Sequence, residues 1–309
     1  QVGQISVFAS YVVQILSNLV MISMMLLQLA RGKACAERVV EVLDTEIDIV
    51  NPENAFVPTE PKGEVEFKNV NFKYDPESHG DNILENISFK AKPGQIVGIV
   101  GGTGCGKSSL VNLIPRLYDA TQGEVLVDGV NVKKYDLKAL REMIGVVLQK
   151  NVLFSGTIEE NIRWGKKDAT HEEIVAACKA AQADSFINEQ PDGYNTYLAQ
   201  GGLNLSGGQK QRLCIARAMI KKPKILILDD STSAVDTATE AKIRESFYSD
   251  LKDTTVFIIA QRISSVKDAD EILVVDDGKI KGVGNHDELI KTNEIYQEIY
   301  NTQQKGVLE

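Results

Sequence analysis

A glycine-rich octapeptide near residue 100 constrains the fold more than any other feature of the sequence. The run Gly101-Gly102-Thr103-Gly104-Cys105-Gly106-Lys107-Ser108 matches GxxxxGK[ST] at every fixed position. An apolar run at 95–100 precedes it, and a helix-like stretch at 108–119 follows it. The motif needs a strand before it and a helix after it. The pattern therefore predicts the strand–loop–helix unit of an α/β fold.

Backbone chemistry explains why such a loop needs glycine. Main-chain N–H groups can then turn inward around phosphate oxygens, and the following helix adds the positive end of its dipole. We expect Lys107 to reach the β- and γ-phosphates of ATP and Ser108 to bind Mg²⁺. Ser109 completes the predicted nucleotide-binding set around the loop. The alternative, a glycine-rich turn without a ligand, is disfavoured by the flanking strand and helix patterns.

A second apolar run ends in two carboxylates. Residues 225–228 are Ile-Leu-Ile-Leu, and Asp229 and Asp230 follow them. A carboxylate at the end of a strand opposite a phosphate loop can hold Mg²⁺ directly or through its water shell. Alone, the pattern is more typical of a buried strand that ends on an acidic turn. Beside the phosphate loop, it predicts Asp229 as a metal ligand.

The first thirty residues carry no charged side chain and are rich in Val, Ile, Leu and Met. About 20 apolar residues are enough to span a bilayer. Arg31, Lys33 and Arg38 follow directly, and the positive-inside bias places that end in the cytoplasm. We predict a transmembrane helix with a cytoplasmic extension over 1–44, in the cell membrane. A buried helix of a soluble domain is the alternative.

Composition and proline placement limit the rest of the chain. The net charge of −9 argues against nucleic acid as a partner, because binding its phosphates needs a basic face. The four cysteines form no CxxC pair, so neither a zinc site nor a disulfide framework is expected. Pro52, Pro58 and Pro61 predict a linker over 45–62. A second domain is then expected over 63–309.

Between the two predicted strands lies the run Leu205-Ser206-Gly207-Gly208-Gln209. Its glycines free backbone N–H groups, and Ser206 is expected to cap a helix whose dipole can face an anion. Together with the phosphate loop, this run resembles the signature of the ATP-binding cassette (ABC) family. The phrases LFSGTIEENI and LNLIPRLYD resemble the exporters of that family. The resemblance implies a P-loop NTPase cassette, with a mixed sheet core, a β subdomain and a helical subdomain at about 150–219.

The resemblance also implies roles for single residues. Tyr74 is similar to the aromatic residue that stacks on adenine, and Gln149 to the glutamine that links magnesium to the membrane-domain contact. Asp236 lies in a run similar to the loop that crosses the family's head-to-tail dimer. In that dimer the signature faces the γ-phosphate bound on the other cassette.

Three positions depart from the family pattern. Asp230 stands where the presumed catalytic base is usually Glu, Gln261 where a switch histidine is usual, and Gln200 where exporters often have Glu. An Asp carboxylate is withdrawn by roughly 1 to 1.5 Å, enough to misplace an attacking water. A glutamine amide cannot carry a proton or a positive charge. The catalytic set of Gln149, Asp230 and Gln261 therefore predicts a weakened site.

These departures resemble the degenerate-site subunit of heterodimeric exporters. The expected function is an ATPase domain that couples dimerisation and ATP hydrolysis to export, with a weakly active site of its own. Its signature would complete the active site of a second exporter half, a different chain. Two alternatives remain open: a regulatory ATP-binding module without hydrolysis, and a soluble ABC ATPase that takes no part in transport. The charge-free helix counts against the second.

Overall fold

Two units make up the chain in the computed structural model, Gln1–Asp48 and Ile49–Glu309. The structure describes residues 2–76, 80–230, 235 and 237–305. The boundary between the units lies inside the segment predicted as a linker. The later part of that segment belongs to the second unit, where Phe56 forms a parallel bridge with Tyr135. Its backbone is otherwise irregular, as its prolines predict.

The first unit is one continuous helix, α1 (Val2–Leu43). The predicted apolar helix and its extension therefore form a single element without a break. None of its described residues is buried. An 18-residue window within it has a mean hydropathy of 1.9, so the helix is long and apolar enough to cross a membrane.

The second unit contains the strands and the remaining helices. Its strands are β1 (Val65–Phe72), β2 (Leu84–Ala91), β3 (Ile96–Val100), β4 (Gln122–Val127), β5 (Val130–Asn131), β6 (Ile144–Val147), β7 (Gly156–Thr157), β8 (Tyr197–Leu198), β9 (Ile225–Asp229), β10 (Thr255–Ile259), β11 (Glu271–Asp276) and β12 (Lys279–Gly284). Its helices are α2 (Lys107–Asn112), α3 (Leu137–Glu142), α4 (Ile158–Arg163), α5 (His171–Ala180), α6 (Asp184–Asn188), α7 (Gly207–Met219), α8 (Thr237–Asp250), α9 (His286–Thr292) and α10 (Glu294–Lys305).

A six-stranded sheet forms the centre of this unit, in the order β12-β11-β3-β10-β9-β6. All of its neighbouring strands are parallel except β11 and β12. Every residue of β3, β9 and β10 is buried. Strands covered on both faces are expected to be continuous apolar runs, and the sequence runs at 95–100 and 225–229 have this character.

A four-stranded antiparallel sheet, β2-β1-β4-β5, packs beside the central sheet. One apolar cluster lies between the two sheets and includes Phe67, Phe89 and Phe257. A second cluster lies on the other face of the central sheet, beneath α4 to α7, and includes Ile162, Leu213 and Leu228. The central sheet therefore has an apolar layer on each face, as a cassette with a β subdomain and a helical subdomain requires.

The segment after the phosphate loop corrects the sequence-based expectation. The predicted helix over 108–119 is shorter, because α2 ends at Asn112 and residues 113–116 form turns. Pro115 therefore does not kink a helix; it lies beyond the helix end. A proline within a helical turn would remove a backbone hydrogen bond of the helix. The helix ends three residues before Pro115.

Candidate nucleotide-binding site

The carboxyl ends of three parallel strands place the candidate residues together. The phosphate loop follows β3, Asp229 and Asp230 lie at the end of β9, and Gln261 follows β10. Adjacent parallel strands end at the same edge of a sheet, which is where ligands bind in α/β folds. A cleft of about 460 Å³ opens there. Its lining includes Gly101, Gly102, Thr103, Gly104, Lys107, Ser108, Gln149, Asp229, Asp230 and Gln261.

Two glycines of the phosphate loop are required by its close contacts. A Cβ atom on Gly101 would lie 2.0 Å from the carbonyl oxygen of Val275. Gly106 has φ of +95°, and a Cβ atom there would lie 2.9 Å from the carbonyl oxygen of Ile83. Side chains at these positions would displace backbone of neighbouring strands or turns. Neighbouring backbone therefore packs against one side of the loop, while the other side faces the cleft.

Lys107 is folded back over the loop. Its Nζ donates to the carbonyl oxygens of Gly101 at 3.0 Å and Gly102 at 2.6 Å. The Sγ atom of Cys105 lies 3.7 Å from the same Nζ, and Cys105 is buried. The ammonium group thus lies at the mouth of the loop, where phosphate oxygens can replace carbonyl oxygens as acceptors.

Ser108 and Asp229 meet across 121 residues of sequence. The Ser108 Oγ donates to Asp229 Oδ1 at 3.1 Å. Burial raises the pKa of Asp229, while the Ser108 hydrogen bond and the charge of Lys107 lower it. A hydroxyl and a carboxylate so close together provide two hard oxygen ligands beside the phosphate loop. Both face the cleft.

Asp230 is held by glutamine amides. Gln261 Nε2 donates to Asp230 Oδ2 at 2.6 Å, and Gln149 Nε2 lies 3.4 Å from the same oxygen. Burial raises the pKa of Asp230, and the neighbouring charge of Asp229 adds to that shift. The three residues of the predicted catalytic set are therefore brought together, and all three line the cleft.

Tyr74 lies next to the phosphate loop through its hydroxyl. The oxygens of Tyr74 and Ser109 are 2.9 Å apart. The ring is about half exposed and packs edge-on against Phe72 and Tyr118, at centroid distances of 4.9 Å each. The contact of Tyr118 with Tyr74 was not predicted from the sequence. An aromatic residue shortly after a phosphate-loop helix is the signal that could have indicated it.

The signature residues Leu205 to Gln209 lie elsewhere. None of them is among the described residues that line the cleft. Ser206 caps α7 as predicted: its Oγ accepts from the Gln209 N–H, and the Gln209 side chain accepts from the Ser206 N–H at 2.9 Å. Ser206 and Gly207 are exposed at the start of the helix. Asp236 falls outside the described residues.

Helix α10 also contributes to the cleft, which no sequence pattern predicted. Glu298, Ile299, Thr302 and Gln303 line the same cleft as the phosphate loop. They lie about 200 residues after that loop in the sequence, and no local motif links them to it. The amphipathic character of residues 294–305 predicts a helix with one face packed on the protein. It does not say which surface the helix covers.

Comparison with known proteins agrees with this geometry. A family model described as ABC transporter matches residues 84–233. The solved structure of a bacterial Atm1-family ABC exporter with ATP bound superposes with a TM-score of 0.83 at 37% identity, over 89% of this chain and 47% of that one.

The chain has the fold of a P-loop cassette of the ABC type.

Curated relatives carry the same cassette. The uncharacterized ABC transporter ATP-binding protein YknU of Bacillus subtilis is 43% identical over 305 residues, which are 99% of this chain and 52% of the relative. The ATP-dependent lipid A-core flippase of Haemophilus influenzae is 44% identical over 281 residues, which are 90% of this chain and 47% of the relative. The chain thus spans about half the length of the curated relatives it matches.

Cassettes of this family bind ATP, and the Atm1-family structure has ATP bound. The residues present here fit that ligand. The phosphate loop presents open space next to Gly102 and Gly104, a lysine ammonium lies at its mouth, and a hydroxyl–carboxylate pair lies beside it. These are the groups that a triphosphate with a divalent cation needs.

Proposed function

We propose that this cassette binds Mg-ATP in the cleft at the carboxyl edge of its central sheet. The observation that carries the proposal is the Ser108–Asp229 pair, 3.1 Å apart beside the phosphate loop. Lys107 would exchange its carbonyl acceptors for the β- and γ-phosphates. Ser108 and Asp229 would hold Mg²⁺, with Gln149 as a further ligand. The bound metal would neutralise phosphate charge during phosphoryl transfer.

The adenine end of the site is assigned to Tyr74. Its half-exposed ring offers a face to a base, and its hydroxyl lies 2.9 Å from the Ser109 hydroxyl. Packing against Phe72 and Tyr118 limits how far the ring can rotate. Stacking of a base on an aromatic face is typically worth about 1–3 kcal/mol.

The site is proposed to hold ATP better than it cleaves it. A general base must accept a proton from an aligned water. Here the carboxylate is one methylene shorter than that of Glu, and Oδ2 of Asp230 accepts from the Gln261 amide at 2.6 Å. Gln261 can donate to a γ-phosphate oxygen, but it cannot carry positive charge. The chain's own site would therefore be degenerate.

The intact signature would act on a second nucleotide. The N-terminus of α7, capped by Ser206 and exposed, would face the γ-phosphate on a partner cassette. Asp236 would lie in the loop that crosses this interface. We propose that the partner is a different chain, which supplies its own phosphate loop together with the catalytic Glu and His. Hydrolysis would then occur mainly at that composite site.

The whole protein is proposed to be an exporter half in the cell membrane, with its cassette in the cytoplasm. The exposed apolar helix α1 would be the last transmembrane helix. An exposed aromatic patch supports docking of the cassette against a transmembrane domain: Phe154 and Trp164 stack at 4.7 Å, and Arg217 lies over the Phe154 ring. Such exposed aromatic groups with an arginine are typical of interaction surfaces.

The short hydrogen bond between Gln261 and Asp230 also favours a second function, a regulatory ATP-binding module without hydrolysis. Both functions predict tight ATP binding by this chain. They differ in whether the site regains hydrolysis when the two departing residues are restored.

The test is the double variant Asp230→Glu with Gln261→His. Because the chain has an intact signature, two copies of the variant can form complete composite sites. We expect the wild-type chain to bind ATP but to hydrolyse it barely above background. The variant should gain up to about 10²–10⁴-fold in hydrolysis rate, the usual contribution of a positioned base. Adding Lys107→Ala should abolish the gain.

Three outcomes separate the proposals. Absence of ATP binding by the wild-type chain contradicts the ATP site itself. Brisk, ATP-cooperative hydrolysis by the wild-type chain contradicts the degenerate site. A double variant that binds ATP and stays at background favours the regulatory module.

A further inference from the structure

The last helix of the cassette reaches back to the loop that follows β10. Gln303, near the end of α10, makes two hydrogen bonds to the backbone of this loop. Its Oε1 accepts from the Ile263 N–H at 2.9 Å, and its Nε2 donates to the Gln261 carbonyl oxygen at 2.7 Å. One side chain thus holds the backbone on both sides of Arg262, at Gln261 and Ile263, which lie 42 and 40 residues earlier in the sequence.

An amide side chain is well suited to this double contact. It carries an acceptor oxygen and a donor nitrogen on the same carbon, so it can bond a backbone N–H and a backbone C=O together. A carboxylate accepts only, an ammonium donates only, and an aliphatic side chain does neither. A methionine would fill the same space without either hydrogen bond.

The helix that carries Gln303 is anchored in the core. Tyr296 of α10 is fully buried, and its hydroxyl lies 2.8 Å from His286 Nδ1 at the start of α9. Tyr296 belongs to the apolar cluster beneath α4 to α7, and Ile299 and Tyr300 pack against that cluster. Gln303 therefore extends from a fixed helix rather than from a free end, which lets it restrain the loop it contacts.

The restrained loop carries the Gln261 side chain into the cleft. The Gln261 Nε2 lies 2.6 Å from Asp230 Oδ2, and Gln261 and Gln303 both line the cleft with Lys107. A backbone held on both sides of Arg262 limits the orientations of the side chain that precedes it. Loss of the two hydrogen bonds would let the Gln261 amide move away from its position beside the phosphates.

We propose that Gln303 is a positioning residue for Gln261, and that it sets the preference of this site for ATP over ADP. The inference rests on the proposed function, in which Gln261 donates to the γ-phosphate. A group that contacts only the γ-phosphate stabilises ATP and leaves ADP unaffected. Gln303 acts on that contact through its hydrogen bonds to the backbone of residues 261–263.

The experiment compares Gln303→Met with Gln304→Met in the full chain. Gln304 is the next residue of the same helix and is exposed, so its variant controls for the change of residue type. Binding of ATP and of ADP is measured for each protein by equilibrium titration with Mg²⁺ present. Hydrogen–deuterium exchange of the peptide that spans 257–266 is measured on the same samples.

We expect Gln303→Met to raise the Kd for ATP about two- to twelvefold, as the loss of one modest hydrogen bond would. Its Kd for ADP should change by less than about twofold. The peptide 257–266 should exchange faster, because the Ile263 amide within it should open about two- to twelvefold more often. Gln304→Met should match wild type in all three measurements.

Each other outcome contradicts the inference. Equal losses of ATP and ADP affinity would indicate general damage to the cassette. Faster exchange with unchanged ATP affinity would show that the two Gln303 hydrogen bonds do not affect nucleotide binding. Unchanged exchange would show that these hydrogen bonds do not restrain the loop. Failure of the proposed function looks different, because the wild-type chain would then bind neither nucleotide.

Discussion

At the scale of single residues, the site depends on short contacts between side chains that are far apart in sequence. The Ser108–Asp229 hydrogen bond joins the phosphate loop to the end of β9. Asp229 is buried, and a buried carboxylate is costly unless it has hydrogen-bond donors or a cation nearby. Ser108 supplies one donor, and Lys107 lies close enough to act electrostatically. A bound Mg²⁺ would stabilise the charged carboxylate further.

The variant Asp229→Asn tests whether the Asp229 carboxylate binds Mg²⁺. It keeps the side-chain volume but removes the negative charge, so we expect the affinity for Mg²⁺ in the presence of ATP to fall by about 10–100-fold or more. ATP affinity without metal should not fall, because removal of the carboxylate removes a charge repulsion with the phosphates. Titration of ATP binding against Mg²⁺ measures both.

The matched control is Asp276→Asn. Asp276 also ends a strand of the central sheet, β11, and does not line the cleft. Its variant should keep the wild-type Mg²⁺ dependence. An Asp229→Asn protein with unaltered Mg²⁺ dependence would refute the assignment of Asp229 as a metal ligand.

At the scale of elements, α7 connects the signature to the apolar core. Its first residue, Gly207, is exposed, while Leu213, Ile215 and Ala216 further along are fully buried. The capping box of Ser206 and Gln209 satisfies orphan N–H groups at the start of the helix. Other N–H groups of the first turn and the helix dipole are what a phosphate would face. The cap therefore defines where the anion-facing end of the helix begins.

Two substitutions at Ser206 separate its structural and functional roles. Ser206→Ala removes the cap and should lower the free energy of unfolding by about 0.5–2 kcal/mol. Ser206→Asn keeps a good capping side chain, so it should stay within about 0.5 kcal/mol of wild type. Both should reduce hydrolysis by the assembled transporter, because the signature serine is lost in each. Urea denaturation and ATPase assays measure the two effects.

If Ser206→Asn kept full hydrolysis, the serine would be acting only as a cap. If Ser206→Ala left the unfolding free energy unchanged, the capping box would not contribute to the stability of α7.

At the scale of the whole molecule, the chain divides into an apolar helix and a nucleotide-binding unit. The helix α1 has 42 residues, of which none described is buried, and its apolar side chains are exposed along most of its length. An exposed apolar surface of this extent is not stable in water without a partner. A lipid bilayer and neighbouring transmembrane helices would both cover it.

We therefore expect α1 to determine whether the chain enters a detergent-rich phase, and the second unit to bind ATP. The full chain is expected to enter the detergent-rich phase of a phase-separating detergent, whereas residues 49–309 alone should remain in the aqueous phase. Adding Leu16→Lys and Leu19→Lys should weaken partitioning, since each charge near the helix centre costs about 2.5–3.5 kcal/mol in insertion. Phase partitioning and ATP titration of all three proteins give the readouts.

ATP affinity should be the same within about twofold for all three proteins, since the cleft lies in the second unit. A full chain that stays in the aqueous phase would contradict the membrane assignment of α1.

Several parts of the structure could be predicted from the sequence because each depends on residues that are close together along the chain. The buried strands β3 and β9 follow from continuous apolar runs. The Ser206 cap follows from a serine placed three residues before a glutamine at a helix start. The phosphate loop follows from its motif and flanks, and the long helix α1 from a charge-free run with a basic end. Each of these signals extends over a few turns or one strand.

Other parts required the tertiary structure. The helix after the phosphate loop ends at Asn112, earlier than its apolar pattern suggests, because the chain turns before Pro115. The sequence could place Asp230 and Gln261 in one site only through resemblance, and it could not show that their side chains bond to each other. The contact of Gln303 with the backbone of Gln261 and Ile263 had no sequence signal at all.

By itself, the sequence determined the local elements and the residues that can bind a phosphate, since local backbone preferences and side-chain chemistry act over short stretches. Only the tertiary structure decided which of these residues share a cleft. Parallel strands β3, β9 and β10 bring the loop after β3 together with two loops that follow it by more than a hundred residues. Helix α10 then lines one side of the cleft. Which loops meet depends on the order of strands in the sheet, and that order is a property of the packed molecule rather than of any segment.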